Sequence, residues 1–145
     1  IPGFEDEQKR VLAATVGGVR VIDVYVPNGQ TVGSDKFEYK MRWLEALRGY
    51  VATELERHPQ LVVLGDYNIA PEDRDVHDPR AWEGSVHVSE PERAALGSLL
   101  ALGLSALGVP LMEQLLLSAA MCLFSAWLAG VLCKAELAAC AFPAE

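Results

Sequence analysis

A carboxylate and a carboxamide stand two residues apart at Asp66 and Asn68, directly after the apolar run Leu61-Val62-Val63-Leu64 and Gly65. Alternate residues of an extended chain share a face, so both side chains point the same way. Such a pair can hold a hard cation through oxygen, or position a water while the amide steadies a phosphate. The same residues also suit a polar turn, because Gly, Asp and Asn recur where strands end. A second group of polar side chains lies upstream. Tyr25 ends another apolar run, Asn28 opens the loop after Pro27, and Lys36, Lys40 and Arg42 follow. Amide and ammonium groups serve phosphates well, although Lys40 and Arg42 equally suit a solvated helix face.

The elements that must position these groups can be read around them. Val11–Val16, Gly17-Gly18 and Val19–Val26 read as a β-hairpin, the glycine pair supplying the positive φ angles of a tight turn. In its second strand Arg20, Ile22, Val24 and Val26 share one face, and Val19, Val21, Asp23 and Tyr25 the other. Ser34 is placed to cap a helix running to about Arg57, with Phe37, Met41, Leu44, Leu47, Tyr50 or Val51, and Leu55 as its apolar stripe. His58-Pro59 ends that helix, and Leu61–Leu64 reads as a short buried strand stopping at Gly65. A helix between the Tyr25 and Asp66 runs is the crossover that parallel pairing requires, so the two runs are expected to be neighbouring parallel strands. Residues 72–88 form a polar loop in which His77 and His87 read as surface histidines, and Trp43 and Trp82 read as packing residues. Ser89 caps a further helix with Pro91 in its first turn. The order indicates a mixed α/β layered sheet.

Gly65-Asp66-Tyr67-Asn68-Ile69-Ala70-Pro71 resembles the Gly-Asp-Phe/Tyr-Asn-Ile/Val-Ala-Pro signature of exonuclease III-type apurinic/apyrimidinic endonucleases, within the endonuclease/exonuclease/phosphatase superfamily. Val24-Tyr25-Val26-Pro27-Asn28-Gly29, followed by Lys36, Tyr39, Lys40 and Trp43, is similar to a second signature of that family, in the same order. Asp75-Val76 and Asp78-Pro79 also match its pattern. The resemblance covers residues 1–104 and stops at Ala106, where the family has an aspartate. It implies a partial four-layer α/β sandwich and Mg²⁺- or Mn²⁺-dependent phosphodiester cleavage of DNA, at abasic sites in a duplex or at 3′ ends, in base-excision repair. By the same resemblance Asp66 handles the attacking water or the leaving-group proton. Asn68 bonds the scissile phosphate, both lie at the metal, and Tyr25 bonds a non-bridging phosphate oxygen. Asn28, Lys36 and Lys40 would touch the DNA backbone. A monomer without a nucleotide cofactor is expected. A superfamily phosphatase acting on a small phosphorylated molecule is the alternative.

Members of the family also carry an early asparagine and a metal-binding glutamate on their first strands, and end with an aspartate and an Asp-His pair. This sequence has no Asp after Asp78 and no His after His87. The expectation is therefore a fragment of the catalytic domain that is inactive as it stands, or a non-enzymatic remnant; the absence of an initiator methionine points the same way.

Composition agrees with a single globular domain: 145 residues, 51% hydrophobic and 22% charged. A net charge of −8 is the wrong sign for a generic nucleic-acid binder, though a metal-dependent phosphodiesterase must gather carboxylates. The three cysteines all fall in the last 24 residues, which fits neither a disulfide framework nor a zinc site and suggests a cytoplasmic protein. Residues 105–145 form an unmatched apolar tail, read as helical. Within it, 115–133 is 19 residues without a charge, close to a membrane-spanning length. A frameshifted or mis-joined end, a docked amphipathic helix, a membrane anchor and a divergent terminus all fit that composition.

Overall fold

The computed structural model describes residues 1–105, so the apolar stretch 115–133 and its expected helix lie outside the described residues. Strand β1 (Val11–Val16) and strand β2 (Val19–Tyr25) form an antiparallel hairpin with Val16 opposite Val19. Gly17 and Gly18 close it at φ 58° and 87°, the pair of positive angles that a type I′ turn needs. Helix α1 (Asp35–Arg57) starts where the Ser34 hydroxyl accepts the Phe37 N–H at 3.2 Å. It ends where the His58 N–H donates to the Glu54 carbonyl at 2.8 Å. The chain then returns as strand β3 (Leu61–Asp66), parallel to β2, giving the sheet order β1-β2-β3. A short 3₁₀ turn (Asp73–Asp75), helix α2 (Pro79–Trp82) capped by Asp78, and helix α3 (Glu90–Leu100) complete the described chain. The fold is α/β, with a small mixed sheet and helices.

The core lies on one face of the sheet. Ile22, Val24 and Val26 are buried there against Trp43, Leu44, Leu47 and Val51 of α1 and Leu99 of α3. Each such side chain contributes roughly 1.5–3 kcal/mol by leaving water, which is why α1 and α3 settle on this face.

Leu61–Leu64 departs from the buried strand expected of it. Val62 is 46% exposed and Tyr25 52%, because the face carrying Val21, Tyr25, Val62 and Leu64 is open among the described residues. The strand also continues through Gly65 rather than stopping there. Gly65 sits at φ 132°, where an added Cβ would lie 1.9 Å from the Val24 carbonyl oxygen. Only a residue without a side chain lets β3 approach β2 this closely.

Helix α1 buries Phe37, Leu44, Leu47 and Val51 as its periodicity requires, and Trp43 is fully enclosed. It also buries Lys40 and Glu54. Glu54 is matched by Arg20 of β2 at 2.5 Å. Trp82, expected to pack, is instead 39% exposed. Among the described residues no helix is long and apolar enough to cross a membrane.

Candidate active site

The parallel register of β2 and β3 pairs Tyr25 with Asp66. Directly paired residues of parallel strands share a face about 5 Å apart, so the phenol and the carboxylate leave the sheet side by side at its C-terminal rim. Both are exposed. Val26 continues the ladder for one more step, its N–H donating to the Asp66 carbonyl at 2.8 Å.

Just beyond the strand, Asn68 takes φ 49°, a left-handed conformation that asparagine tolerates better than most side chains. Three bonds hold it there. Its N–H donates to Asp66 Oδ1 at 2.9 Å, its carbonyl accepts Lys40 Nζ at 2.7 Å, and its Nδ2 donates to the Val26 carbonyl at 3.0 Å. One carboxamide N–H is thereby spent on the Val26 carbonyl. Tyr67, inside the same signature, packs against the core; burial pushes its phenol up to about 12, so it is protonated at neutral pH.

Lys40 is not where a DNA-contacting residue would be. Its side chain is 0% exposed, and its ammonium meets Glu92 Oε1 of α3 at 2.5 Å. It also donates to the Asn28 carbonyl at 3.2 Å and to the Asn68 carbonyl at 2.7 Å. Burial lowers its pKa while the Glu92 hydrogen bond and charge oppose the shift. The burial of Lys40 follows from the fold. Helical spacing puts Lys40 on the same face as Phe37, Leu44 and Leu47, and the charge is tolerated there because Glu92 and two carbonyls surround it. Its function is to tie the Asn28 loop, the Asn68 turn and α3 together. By contrast Lys36 is exposed on the first turn of α1, and among the described residues no hydrogen bond joins it to the rim. Asn28 is exposed beside the rim, its Oδ1 accepting the Gln30 N–H at 3.1 Å.

Two side chains not singled out for this site in the sequence belong to it. Arg10 lays its guanidinium over the Tyr25 ring, 5.2 Å from the centroid, and donates to the Tyr25 carbonyl at 3.4 Å. It is steered by Asp6 at 4.0 Å. Desolvation works against the Asp6 carboxylate, yet bonds from the Gln8 N–H, Tyr39 and Trp43 and the charge of Arg10 hold its pKa below the usual value. The second is His87, read from the sequence as a surface residue. Its imidazole is partly buried, with Nε2 3.0 Å from Asn28 Nδ2, and it stacks against Trp82 at 6.1 Å between centroids. No periodic signal marks either residue; both are brought in by the sheet and by the loop that precedes α3.

Asp66 and Asn68 are the oxygen donors that the family resemblance assigns to Mg²⁺ or Mn²⁺. Among the described residues no group of three or more His, Cys, Asp or Glu side chains is placed to hold a metal ion. A protein-held Mg²⁺ needs one or two carboxylates within an octahedron of waters and substrate oxygens. Asp66 supplies a single one at this rim, the lower end of that range.

A parallel strand pair closed by a crossover helix, with Tyr25, Asp66 and Asn68 at its C-terminal rim, makes the described part of the chain an α/β layer. Over about two thirds of its length the chain is a partial match to the exonuclease III-type family. It is 33% identical over 98 residues to an exodeoxyribonuclease of Bacillus subtilis, covering 68% of this chain and 38% of that protein. An exodeoxyribonuclease of Streptococcus pneumoniae is 29% identical over 102 residues, covering 70% and 36%. Among solved structures, the 3′ phosphatase NExo from Neisseria bound to product DNA hairpin superposes with a TM-score of 0.66 at 50% identity, covering 68% and 38% of the two chains. An AP endonuclease from Archaeoglobus fulgidus superposes with a TM-score of 0.61 at 37% identity, covering 64% and 36%. The chain thus spans a little over a third of the length of these relatives. No family model matches it.

Proposed function

We propose that residues 1–105 form the central part of a nuclease active site that handles DNA phosphodiesters at abasic sites or 3′ ends, and that these residues alone do not complete it. The observation that carries this reading is the register of Tyr25 with Asp66 on adjacent parallel strands, with Asn68 locked one turn beyond. A phosphate entering over this rim would find a phenol donor from Tyr25 and a carboxamide donor from Asn68, both suited to charge that builds on non-bridging oxygens. Asp66 would accept a proton from the attacking water or manage the leaving group. Asn28 and Lys36 would meet the flanking backbone. Mg²⁺ or Mn²⁺ belongs to this reading as the ion that such relatives are known to need, with Asp66 and Asn68 as its nearest oxygens.

The sheet and its two helices are read as half of a four-layer sandwich. The apolar residues Val21, Val62 and Leu64 on the open face support that reading, since a layered sheet covers such a face. Loss of a directly acting catalytic group costs orders of magnitude in rate, and the described residues hold one carboxylate at the rim. The 145-residue chain is therefore expected to bind, but not to turn over, an abasic duplex in Mg²⁺. The test is incubation of the purified chain with abasic and 3′-recessed duplexes, alongside Asp66→Ala. Turnover that vanishes in the variant would overturn the expected inactivity. Hydrolysis of small phosphomonoesters without any DNA binding would favour the phosphatase alternative.

A further inference from the structure

His87 takes φ 78°, a region uncommon for residues other than glycine. It is held there from both sides. Its N–H donates to Glu92 Oε1 and Oε2 at 3.0 and 2.8 Å, and its carbonyl accepts the Ala70 N–H at 2.7 Å. A backbone fixed so firmly in an unfavourable state directs attention to what its side chain does, and that side chain faces the carboxamide of Asn28.

The chemistry of that contact has one solution. The Gln30 N–H can only donate, so the arm of Asn28 that it meets is Oδ1, and the arm facing His87 Nε2 is the NH₂ group. His87 Nε2 must then be the acceptor, with the ring proton on Nδ1. One N–H of Asn28 is used in this way, and its second points outward from an exposed side chain. We propose that His87 is a positioning residue that fixes Asn28 as a hydrogen-bond donor toward phosphate oxygens of a nucleic-acid backbone, a role that rests on the phosphodiester reading above. Phosphate oxygens only accept, so an Asn28 with its ends exchanged would present a carbonyl to them and repel them.

The groups around the imidazole keep it in the required state. Burial and the Lys40 ammonium of α1 lower its pKa, against the carboxylates of Glu92 on α3 and Asp66 at the end of β3 and the backbone of Asn28; the Trp82 ring of α2 stacks against it. Protonation would turn Nε2 into a donor facing a donor. Asn28 would exchange its ends, give up the Gln30 N–H and lose its outward N–H. Acidification should therefore weaken DNA binding through Asn28, even though an imidazolium adds positive charge.

The test uses the full 145-residue chain. Long-range proton–nitrogen NMR at neutral pH should find the His87 proton on Nδ1. Anisotropy with a fluorescent 3′-recessed duplex should show affinity falling as pH drops across about 8 to 5. His87→Ala should weaken binding about tenfold, and His87→Gln, whose Oε1 still accepts, should restore it and flatten the pH profile. Asn28→Asp, at an exposed position, presents acceptors alone and should raise the His87 titration midpoint by about one unit. A proton on Nε2, a His87→Gln profile as steep as wild type, or an unmoved midpoint in Asn28→Asp would each overturn the positioning role. Wild-type chain that shows the Nδ1 proton but binds no duplex at any pH would instead overturn the phosphodiester reading.

Discussion

Replacing Lys40 by methionine separates the two places this lysine could occupy. On an exposed DNA-facing helix the change would cost within about 0.5 kcal/mol of stability. In the structure both partners of the Lys40–Glu92 pair are 0% exposed and 2.5 Å apart. Removing one member of a buried pair strands the other charge, at a cost of about 3–5 kcal/mol. The value should fall toward the lower end, because Glu92 keeps the His87 N–H and the Ser89 N–H and hydroxyl. The carbonyls of Asn28 and Asn68 lose a donor as well. With about 4–8 °C per kcal/mol for a domain of this size, the melting temperature should drop by roughly 12–30 °C. Urea unfolding followed by circular dichroism measures the effect. A parallel Lys40→Met/Glu92→Gln variant, which neutralises the stranded carboxylate and keeps an acceptor for Ser89, should recover about 1–2 kcal/mol of the loss. High salt should change the wild-type value little, since buried pairs are poorly screened. A Lys40→Met protein as stable as wild type, yet weakened in DNA binding in a salt-dependent way, would refute the buried strut and return Lys40 to the surface.

Other consequences are equally measurable. Gly65→Ala drives a Cβ to 1.9 Å from the Val24 carbonyl oxygen and should cost about 3 kcal/mol or more. Gly49→Ala, with nothing within 4 Å in the middle of α1, should stabilise by about 0.5–1 kcal/mol in the same melt. Asn68→Ala should lose about 2–3 kcal/mol, from the bond to the Val26 carbonyl and the left-handed backbone, whereas Asn68→Gly should lose only about 1 kcal/mol. If the carboxamide itself meets phosphate, both variants bind DNA equally poorly; binding that follows stability instead would contradict that contact. His87 has a folded pKa below its ordinary value. The unfolded chain therefore takes up its proton first on acidification, and the stability His87 allows is complete above about pH 6.5 and declines as pH falls through the folded pKa. Melts of wild type and His87→Gln at a series of pH values should diverge in that window and agree above it.

Most of the secondary structure was legible because local chemistry and tertiary packing agree. Gly17-Gly18, Ser34, His58-Pro59 and Ser89 with Pro91 punctuate the chain at the positions where the strands and helices turn or begin. The helix α1 is the crossover that parallel pairing of β2 and β3 requires, and the register of that pairing brings Tyr25 beside Asp66. What was illegible is the set of charges that pattern reading assigns to water. Lys40 and Glu54 lie on the buried stripe of α1, and each is tolerated only because a partner distant in sequence, Glu92 or Arg20, reaches it. A one-dimensional reading sees a lysine near an Asn-Gly loop and gives it to a phosphate. In three dimensions the same lysine reaches inward and holds the carbonyls of Asn28 and Asn68, the two asparagines proposed to meet phosphate. His87 repeats the lesson, since its place is set by Glu92, which caps α3 through Ser89, grips the His87 N–H and neutralises Lys40 at once. One carboxylate thus fixes the lysine behind the rim and the histidine beside it. Substitution of Glu92 should therefore disturb Asn28 and Asn68 together, without touching either side chain.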